Sequence, residues 1–209
     1  MYNIFYYDIN KMSDEIYFEE LESLDYFRKK EILKKASIND RKRSLAGDIL
    51  TKKYLSKIYG VQKEKIEIKK GEHGKPYVLN VPAHFNISHS GNYTVLAISD
   101  RPIGIDLEII EDFSAILAKK LFNDDELRYI SEIGSMKKKT LMQQCFYEIW
   151  TAKEAYLKYL GCGISGGVNA LSFTLCNNKL TPDKKDITLS YDYSIPGAIV
   201  AIVTEKQEF

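Results

Sequence analysis

Pro102-Ile-Gly-Ile-Asp-Leu-Glu-Ile-Ile110 is the stretch of this 209-residue sequence that decides its fold. Apolar residues alternate there with Gly104, Asp106 and Glu108, which is the period of a β-strand with one buried face. Asp106 and Glu108 then share the other face, about 6.6 Å apart along the strand, within reach of one hard divalent cation. Taken alone, such a pair is more often two solvated carboxylates on an edge strand.

The segments on either side of this strand follow one common order, helices first and short strands afterwards. The helical patterns cover, in order, Asp14–Lys35, Asn39–Tyr59, Phe113–Ile130 and Gln143–Leu160. Gly197–Thr204 matches Asn92–Ser99 in its apolar pattern and in its place within its half. The sequence therefore predicts an α+β fold with two pseudo-symmetric halves, residues 1–110 and 111–209, sharing one cleft.

Composition narrows the classes of function. The 30 Lys and Arg residues nearly balance the 29 Asp and Glu residues, so nonspecific nucleic-acid binding is not expected. The sequence has neither a basic, signal-like N-terminus nor an apolar run of about 20 residues, so we expect a cytosolic protein outside the membrane. Its three cysteines form no C-x-x-C pair, which argues against a zinc site or a disulfide framework.

The helical pattern that ends at Leu160 places charges beside an apolar stripe. Lys153 falls within the stripe, so it must find a partner or extend to solvent. Glu154 and Lys158 are four residues apart and therefore adjacent on the helix surface. They could be an ordinary stabilising pair, but their combination with Asp106 and Glu108 favours a site for phosphate chemistry.

Two glycine-containing stretches are suited to contacting phosphates, Gly71–Tyr77 and Phe85–Asn92. Glycines let backbone N–H groups approach an anion, and Lys75, Ser88 and His89 could add side-chain donors. Plain turns would explain the glycines equally well. A third glycine pattern, at residues 161–166, follows a helix rather than a strand and is predicted to be a helix stop, not a dinucleotide site.

Three motifs together resemble a known family: Phe85–Gly91 (FNISHSG), Ile103–Glu108 (IGIDLE) and Trp150–Lys158 (WTAKEAYLK). In this order and spacing they resemble 4′-phosphopantetheinyl transferases of the surfactin-synthetase-activating type, over nearly the whole chain. The resemblance implies two similar α+β halves, with coenzyme A and Mg²⁺ bound in the cleft between them.

The resemblance also implies roles for individual residues. Asp106, Glu108 and Glu154 would be the magnesium ligands, and Glu154 and Lys158 the catalytic pair. Arg28 and Lys30 are alternative candidates for a further basic contact. The residues expected to bind coenzyme A are Arg43, Gly74, Lys75, Pro76, Ser88, His89, Ser90, Gly91, Asn92 and Lys158.

The implied reaction moves the 4′-phosphopantetheine arm of coenzyme A to a serine of an apo acyl or peptidyl carrier protein and releases 3′,5′-ADP. The protein is expected to be a monomer. We expect the carrier to dock near Leu121 and Phe122, unless these are core residues of an amphipathic helix. Two other functions fit the same residues: a Mg²⁺-dependent hydrolase of nucleotide phosphoesters or pyrophosphates, and a noncatalytic module that binds coenzyme A or a carrier.

Overall fold

The structure is a computed structural model that describes residues 1–135, 139–163, 167–176 and 179–206. The first eight elements are β1 (Tyr2–Asp8), α1 (Asp14–Glu22), α2 (Tyr26–Leu33), α3 (Ile38–Tyr59), β2 (Ile68–Lys70), β3 (Pro76–Val78), β4 (His84–Ser90) and β5 (Tyr93–Ser99). The next eight are β6 (Ile103–Ile109), α4 (Ala115–Leu121), α5 (Asp124–Ser135), α6 (Lys139–Leu160), β7 (Phe173–Cys176), β8 (Lys179–Pro182), β9 (Ile187–Asp192) and β10 (Ala198–Glu205).

These two sets of elements repeat one topology. Each has a three-stranded antiparallel sheet with its last strand in the centre, in the orders β1-β5-β4 and β6-β10-β9. Each also has a 22-residue helix, α3 or α6, followed by a small hairpin. The prediction of an α+β fold with two similar halves is confirmed. Strand pairing groups β6 with β9 and β10, and the domain boundary after residue 110 stays a prediction.

The predicted helices are interrupted where polar side chains cap backbone N–H groups. Asp25 accepts hydrogen bonds from the N–H groups of Phe27 and Arg28, so the pattern over 14–35 is split into α1 and α2. Asn123 and Glu126 each accept from the other's backbone N–H, which separates α4 from α5. The short strand β8 was not predicted.

The two halves meet along β4 and β6, and β6 lies directly under α6. The side-chain oxygen of Asn86 accepts a hydrogen bond from the N–H of Ile105 at 2.8 Å. On the other side of β6, a Cβ atom added to Gly104 would lie 2.0 Å from the carbonyl oxygen of Ala155. Only glycine allows this approach, and it brings the charged side chains of β6 and α6 close together.

A buried ion pair holds α6 against α5. The ammonium of Lys153 lies 2.9 Å from Glu126 Oε2, and both side chains are fully buried. Glu126 Oε1 also accepts a hydrogen bond from the N–H of Phe173, which belongs to β7. Lys153, which the sequence required either to find a partner or to extend to solvent, therefore pairs with Glu126 inside the protein. Of the helices in the described ranges, none has the length and apolar character needed to cross a membrane.

Candidate active site

The centre of the candidate site is a three-residue contact between the halves. Lys158 Nζ donates to Asp106 Oδ1 at 2.5 Å and to Ser88 Oγ at 2.8 Å, and Ser88 Oγ donates to the same Asp106 oxygen at 2.7 Å. Ser88 comes from β4, Asp106 from β6 and Lys158 from α6. Two residues from separate sequence motifs, Ser88 and Lys158, therefore converge on the carboxylate of a third motif.

A second contact repeats this pattern two residues further along both strands. Ser90 Oγ donates to Glu108 Oε2 at 3.0 Å, and Trp150 Nε1 lies 3.3 Å from Glu108 Oε1. Because strand residues two apart share a face, Asp106 and Glu108 face Ser88 and Ser90 together. The sequence analysis gave no role to Trp150, although its indole N–H is a donor that needs a partner when it is partly buried.

Burial and the negative charge of Asp106 raise the pKa values of the neighbouring carboxylates. Burial, and then the charge of Asp106, raise the pKa of Glu108 to about 7. The same two causes, in the same order, raise the pKa of Glu154, a half-buried residue one turn before Lys158 on α6. The ammonium of Lys158 pairs with Asp106, and its charge opposes the rise in the pKa of both Glu108 and Glu154.

One oxygen of the site lacks a protein partner. Asp106 Oδ2 is buried and accepts no hydrogen bond from the described residues. Within those same residues, no three His, Cys, Asp or Glu side chains are grouped as a preformed metal site. The charge of Asp106 nevertheless acts on both Glu108 and Glu154. Hard divalent cations prefer oxygen ligands, so the unpaired oxygen and these two carboxylates suit such a cation.

A cavity of about 660 Å³ lies in the first half, and its wall includes His89, which lies between Ser88 and Ser90 on β4. Arg43, Pro76 and His89 line it, as do Lys35 and Lys52, which the sequence analysis did not select. His89 is exposed, but partial loss of water at the cavity wall lowers its pKa, and the positive charges of Arg43, Lys158 and Lys35 lower it further. His89 therefore lies in a positive environment even before any ligand is present.

Arg43 has a buried N–H donor that no described residue satisfies. Its Nη1 donates to the carbonyl oxygen of Gly91 at 2.6 Å, and its Nη2 bonds Asp40. Its Nε is buried and has no acceptor among the described residues. An anion in the cavity could supply that acceptor, because guanidinium binds phosphate oxygens through several N–H groups at once.

The structure distinguishes the two candidates for a further basic contact. Arg28 lines the cavity, but Asp48 and Glu31 both bind its guanidinium. Lys30 lies outside that cavity, with its ammonium 5.7 Å from the ring centre of Tyr26. Of the two, only Arg28 is in a position to contact a ligand there, and its charge is largely neutralised by its partners.

Other predicted residues lie elsewhere. Gly74 and Lys75 are in the loop between β2 and β3, and the Lys75 ammonium contacts backbone carbonyls instead of lining the cavity. Gly91 and Asn92 form the exposed turn between β4 and β5. Phe122 is 6% exposed and packs against Phe146, so it is a core residue, as the alternative to a carrier contact proposed.

The helix stop predicted after α6 begins as expected. Gly161, at φ +72°, donates its N–H to the carbonyl oxygen of Leu157, which closes the last turn. Residues 164–166 of that glycine pattern lie outside the described residues.

Comparison with known proteins places the chain in a family. Residues 102–198 match a family model described as the 4′-phosphopantetheinyl transferase superfamily, and residues 12–101 match one described as 4′-phosphopantetheinyl transferase, N-terminal. The 4′-phosphopantetheinyl transferase Sfp of Bacillus subtilis is 36% identical over 81% of this chain and 77% of its own length. The corresponding protein psf-1 of Bacillus pumilus is 31% identical over 80% of this chain and 72% of its own length.

A further relative is matched over a shorter region. The 4′-phosphopantetheinyl transferase gsp of Aneurinibacillus migulanus is 37% identical over 64% of this chain, and the match spans 54% of that relative's length. The two family models meet between residues 101 and 102, at the start of the second set of structural elements. This chain belongs to the 4′-phosphopantetheinyl transferase superfamily.

Proposed function

We propose that this protein transfers the 4′-phosphopantetheine arm of coenzyme A to a serine hydroxyl of an apo carrier protein and releases 3′,5′-ADP. The observation that carries the proposal is the contact of Ser88, Asp106 and Lys158 beside a cavity lined by Arg43 and His89. It combines a cluster of carboxylates with cationic groups that suit a pyrophosphate. Family membership supports the same activity.

The cavity would bind the nucleotide part of coenzyme A. Arg43 and His89 would contact its phosphates, and Pro76 would form part of the apolar wall. Binding there would leave the pyrophosphate directed toward Ser88 and Lys158, which lie where the two halves meet. Ser90, Gly91, Asn92 and Gly74 remain expected contacts around the same ligand.

Asp106, Glu108 and Glu154 would hold Mg²⁺, which supplies neutralising charge for the phosphoryl oxygens. The carrier serine oxygen forms a bond to the β-phosphorus while the bond from that phosphorus to the oxygen of 3′,5′-ADP breaks. Glu154, or a water that it orients, accepts the serine proton. Lys158 donates to the phosphate oxygens and stabilises the leaving group, since its ammonium lies at the centre of the site.

The proposed site is assembled from elements of a single chain, β4, β6 and α6, which supports the expectation of a monomer. Size-exclusion chromatography with light scattering tests this. The cytosolic location expected from the sequence remains part of the proposal.

Intact mass measurement of a carrier protein tests the function. Apo carrier is incubated with the protein, coenzyme A and Mg²⁺, and a carrier with serine replaced by alanine is the matched control. We expect the mass of one phosphopantetheine arm on the first carrier only. Cleavage of coenzyme A without carrier modification would indicate a hydrolase, and binding without either reaction would indicate a noncatalytic module.

A further inference from the structure

The side chain of Lys75 does not line the cavity and instead crosses to the second half. Gly71 and Lys75 are joined by a backbone hydrogen bond that closes the loop between β2 and β3. From this loop, Lys75 Nζ donates to the carbonyl oxygens of Lys158 at 2.6 Å, Ile103 at 3.2 Å and Tyr159 at 3.2 Å. The three donors of one ammonium group are matched by three backbone acceptors.

Two of these acceptors belong to the end of the helix that bears the proposed catalytic pair. The last four carbonyl groups of a helix have no partner inside the helix, and α6 ends at Leu160. Gly161 N–H satisfies the carbonyl of Leu157, and Lys75 satisfies those of Lys158 and Tyr159. A cation at this position also interacts favourably with the negative end of the helix dipole.

The third acceptor links the helix end to β6. Ile103 is the first residue of β6, three positions before Asp106. Lys75 therefore joins the end of α6 to the start of the strand that faces it. Lys158 takes part twice, because its carbonyl binds Lys75 while its ammonium binds Asp106.

The surroundings of Lys75 support this assignment over a role in binding phosphate. No ion pair with a carboxylate is found for Lys75 among the described residues, and its side chain is absent from the wall of the nucleotide cavity. A Cβ added to Gly161 would lie 3.3 Å from Lys75 Cδ, so the lysine stem packs on the turn that follows α6. Burial lowers the pKa of Lys75 to about 8, which leaves it mainly protonated at neutral pH.

We propose that Lys75 is a positioning residue that caps α6 from the opposite half and thereby fixes Glu154 and Lys158 relative to Asp106. The proposal rests on the function proposed above. It differs from the expectation drawn from the sequence, in which Lys75 binds a phosphate of coenzyme A. A cap predicts slower transfer at unchanged coenzyme A affinity, whereas a phosphate contact predicts weaker coenzyme A binding.

Lys75→Met is the direct test, because methionine preserves an unbranched stem and removes all three donors. Lys57→Met is the matched control, since Lys57 is an exposed lysine in the last turn of α3, the corresponding helix of the first half. Amide hydrogen exchange of peptides covering 154–163 is measured first. We expect exchange there to rise at least about fivefold in Lys75→Met and to stay unchanged in the control.

Kinetics and calorimetry provide the second test. Lys75→Met should lower kcat at least about tenfold while the Kd of coenzyme A stays within about twofold, and Lys75→Arg should recover most of kcat. If Lys75→Met does not fold, Lys75→Gln replaces it, because the amide retains one donor group. Unchanged exchange at the end of α6, or a tenfold weaker Kd with kcat retained, would overturn the proposal.

The two proposals can fail separately. Transfer by the unsubstituted protein is measured before any variant, and its absence would refute the proposed function alone. The exchange measurement requires no substrate, so it still decides whether Lys75 caps α6.

Discussion

The two long helices, α3 and α6, each form an ion pair with the preceding short helix, but with opposite charges on the long helix. On α3 a buried acid, Asp48, pairs with Arg28 of the preceding helix α2. On α6 a buried base, Lys153, pairs with Glu126 of the preceding helix α5. Each half thus attaches its short helix to its long helix by an ion pair, although the sign of the charge on the long helix is reversed.

The pairs differ in their access to solvent. Arg28 is about a quarter exposed and both members of its ion pair line the cavity of the first half, whereas Lys153 and Glu126 are completely enclosed. Enclosure makes the second pair a fixed part of the core, and the cavity lets water or a ligand solvate the first. The comparison suggests that α3 is used for binding, while α6 is locked in place and presents the groups for chemistry.

Lys153→Met should have the largest effect, because it leaves the carboxylate of Glu126 buried and uncompensated. We expect the free energy of unfolding to fall by about 3–5 kcal/mol, measured by chemical denaturation. Replacing both residues, Lys153→Met with Glu126→Gln, should recover more than half of that loss. Arg28→Met should cost clearly less, since water in the cavity can reach Asp48; equal losses would contradict the difference between the halves.

Glu154→Gln should come next, with an effect on chemistry and not on folding. Turnover should fall at least about 100-fold, because the amide can neither hold a cation as a carboxylate does nor accept the serine proton. In the described residues, Lys158 binds Asp106 and Ser88 and forms no ion pair with Glu154, so the melting temperature should hardly move. Single-turnover transfer measures the change in turnover, and thermal melts measure the change in melting temperature. Turnover within about threefold of the parent protein would exclude a catalytic role for Glu154 and leave Trp150–Lys158 with a structural role only.

Arg43→Gln should affect binding and leave the chemical step nearly intact. Losing a charge-assisted contact with phosphate should raise the Kd of coenzyme A about tenfold, with kcat at saturation within about threefold of the parent. Arg41→Gln is the matched control on the same helix, because Arg41 binds the carbonyl of Lys35 and does not line the cavity. A lower kcat at unchanged affinity would assign α3 to the chemistry and remove the contrast with α6.

His89 should give the smallest effect, a pH dependence of about threefold. Partial desolvation at the cavity wall and neighbouring positive charges lower its pKa, so His89 of the free protein is protonated less readily than an ordinary histidine. A bound phosphate favours the charged imidazolium and raises that pKa, so binding takes up a proton and coenzyme A affinity rises from pH 7.5 to 6. Calorimetry in two buffers of different ionisation enthalpy measures the uptake. His89→Gln should show less of it, and an equal uptake would exclude His89 as the acceptor.

Local patterns were sufficient to predict the repeat and the shared strand face of Asp106 and Glu108. Alternation around Asp106 and Glu108 fixes the face of β6, whereas their contacts with Ser88 and Ser90 depend on how β4 lies beside β6. The family resemblance implied that the helix bearing Glu154 and Lys158 lies beside Asp106, but the hydrogen bond from Lys158 to Asp106 was not predicted.

Contacts between distant segments explain what the sequence did not reveal. Lys75 and its acceptor Lys158 are 83 positions apart, so no local pattern indicates that a loop caps a helix end. Glu126 ends an acidic run that would suit a solvated surface, and only the capping pattern beginning at Asn123 hints at a fixed position. Choosing between Arg28 and Lys30 likewise requires knowing which face of α2 borders the cavity.

The enclosed pair of Lys153 and Glu126 has a consequence for the rotational phase of α6. Successive residues of a helix are rotated by about 100°, so the inward direction of Lys153 sets the direction of its neighbour Glu154 and, one turn later, of Lys158. A rotation of α6 by a single position would separate Lys153 from its only enclosed carboxylate partner in the described chain. The ion pair therefore fixes the rotation of α6 about its own axis. It keeps Glu154 and Lys158 turned toward β6, although neither Lys153 nor Glu126 touches the reacting groups.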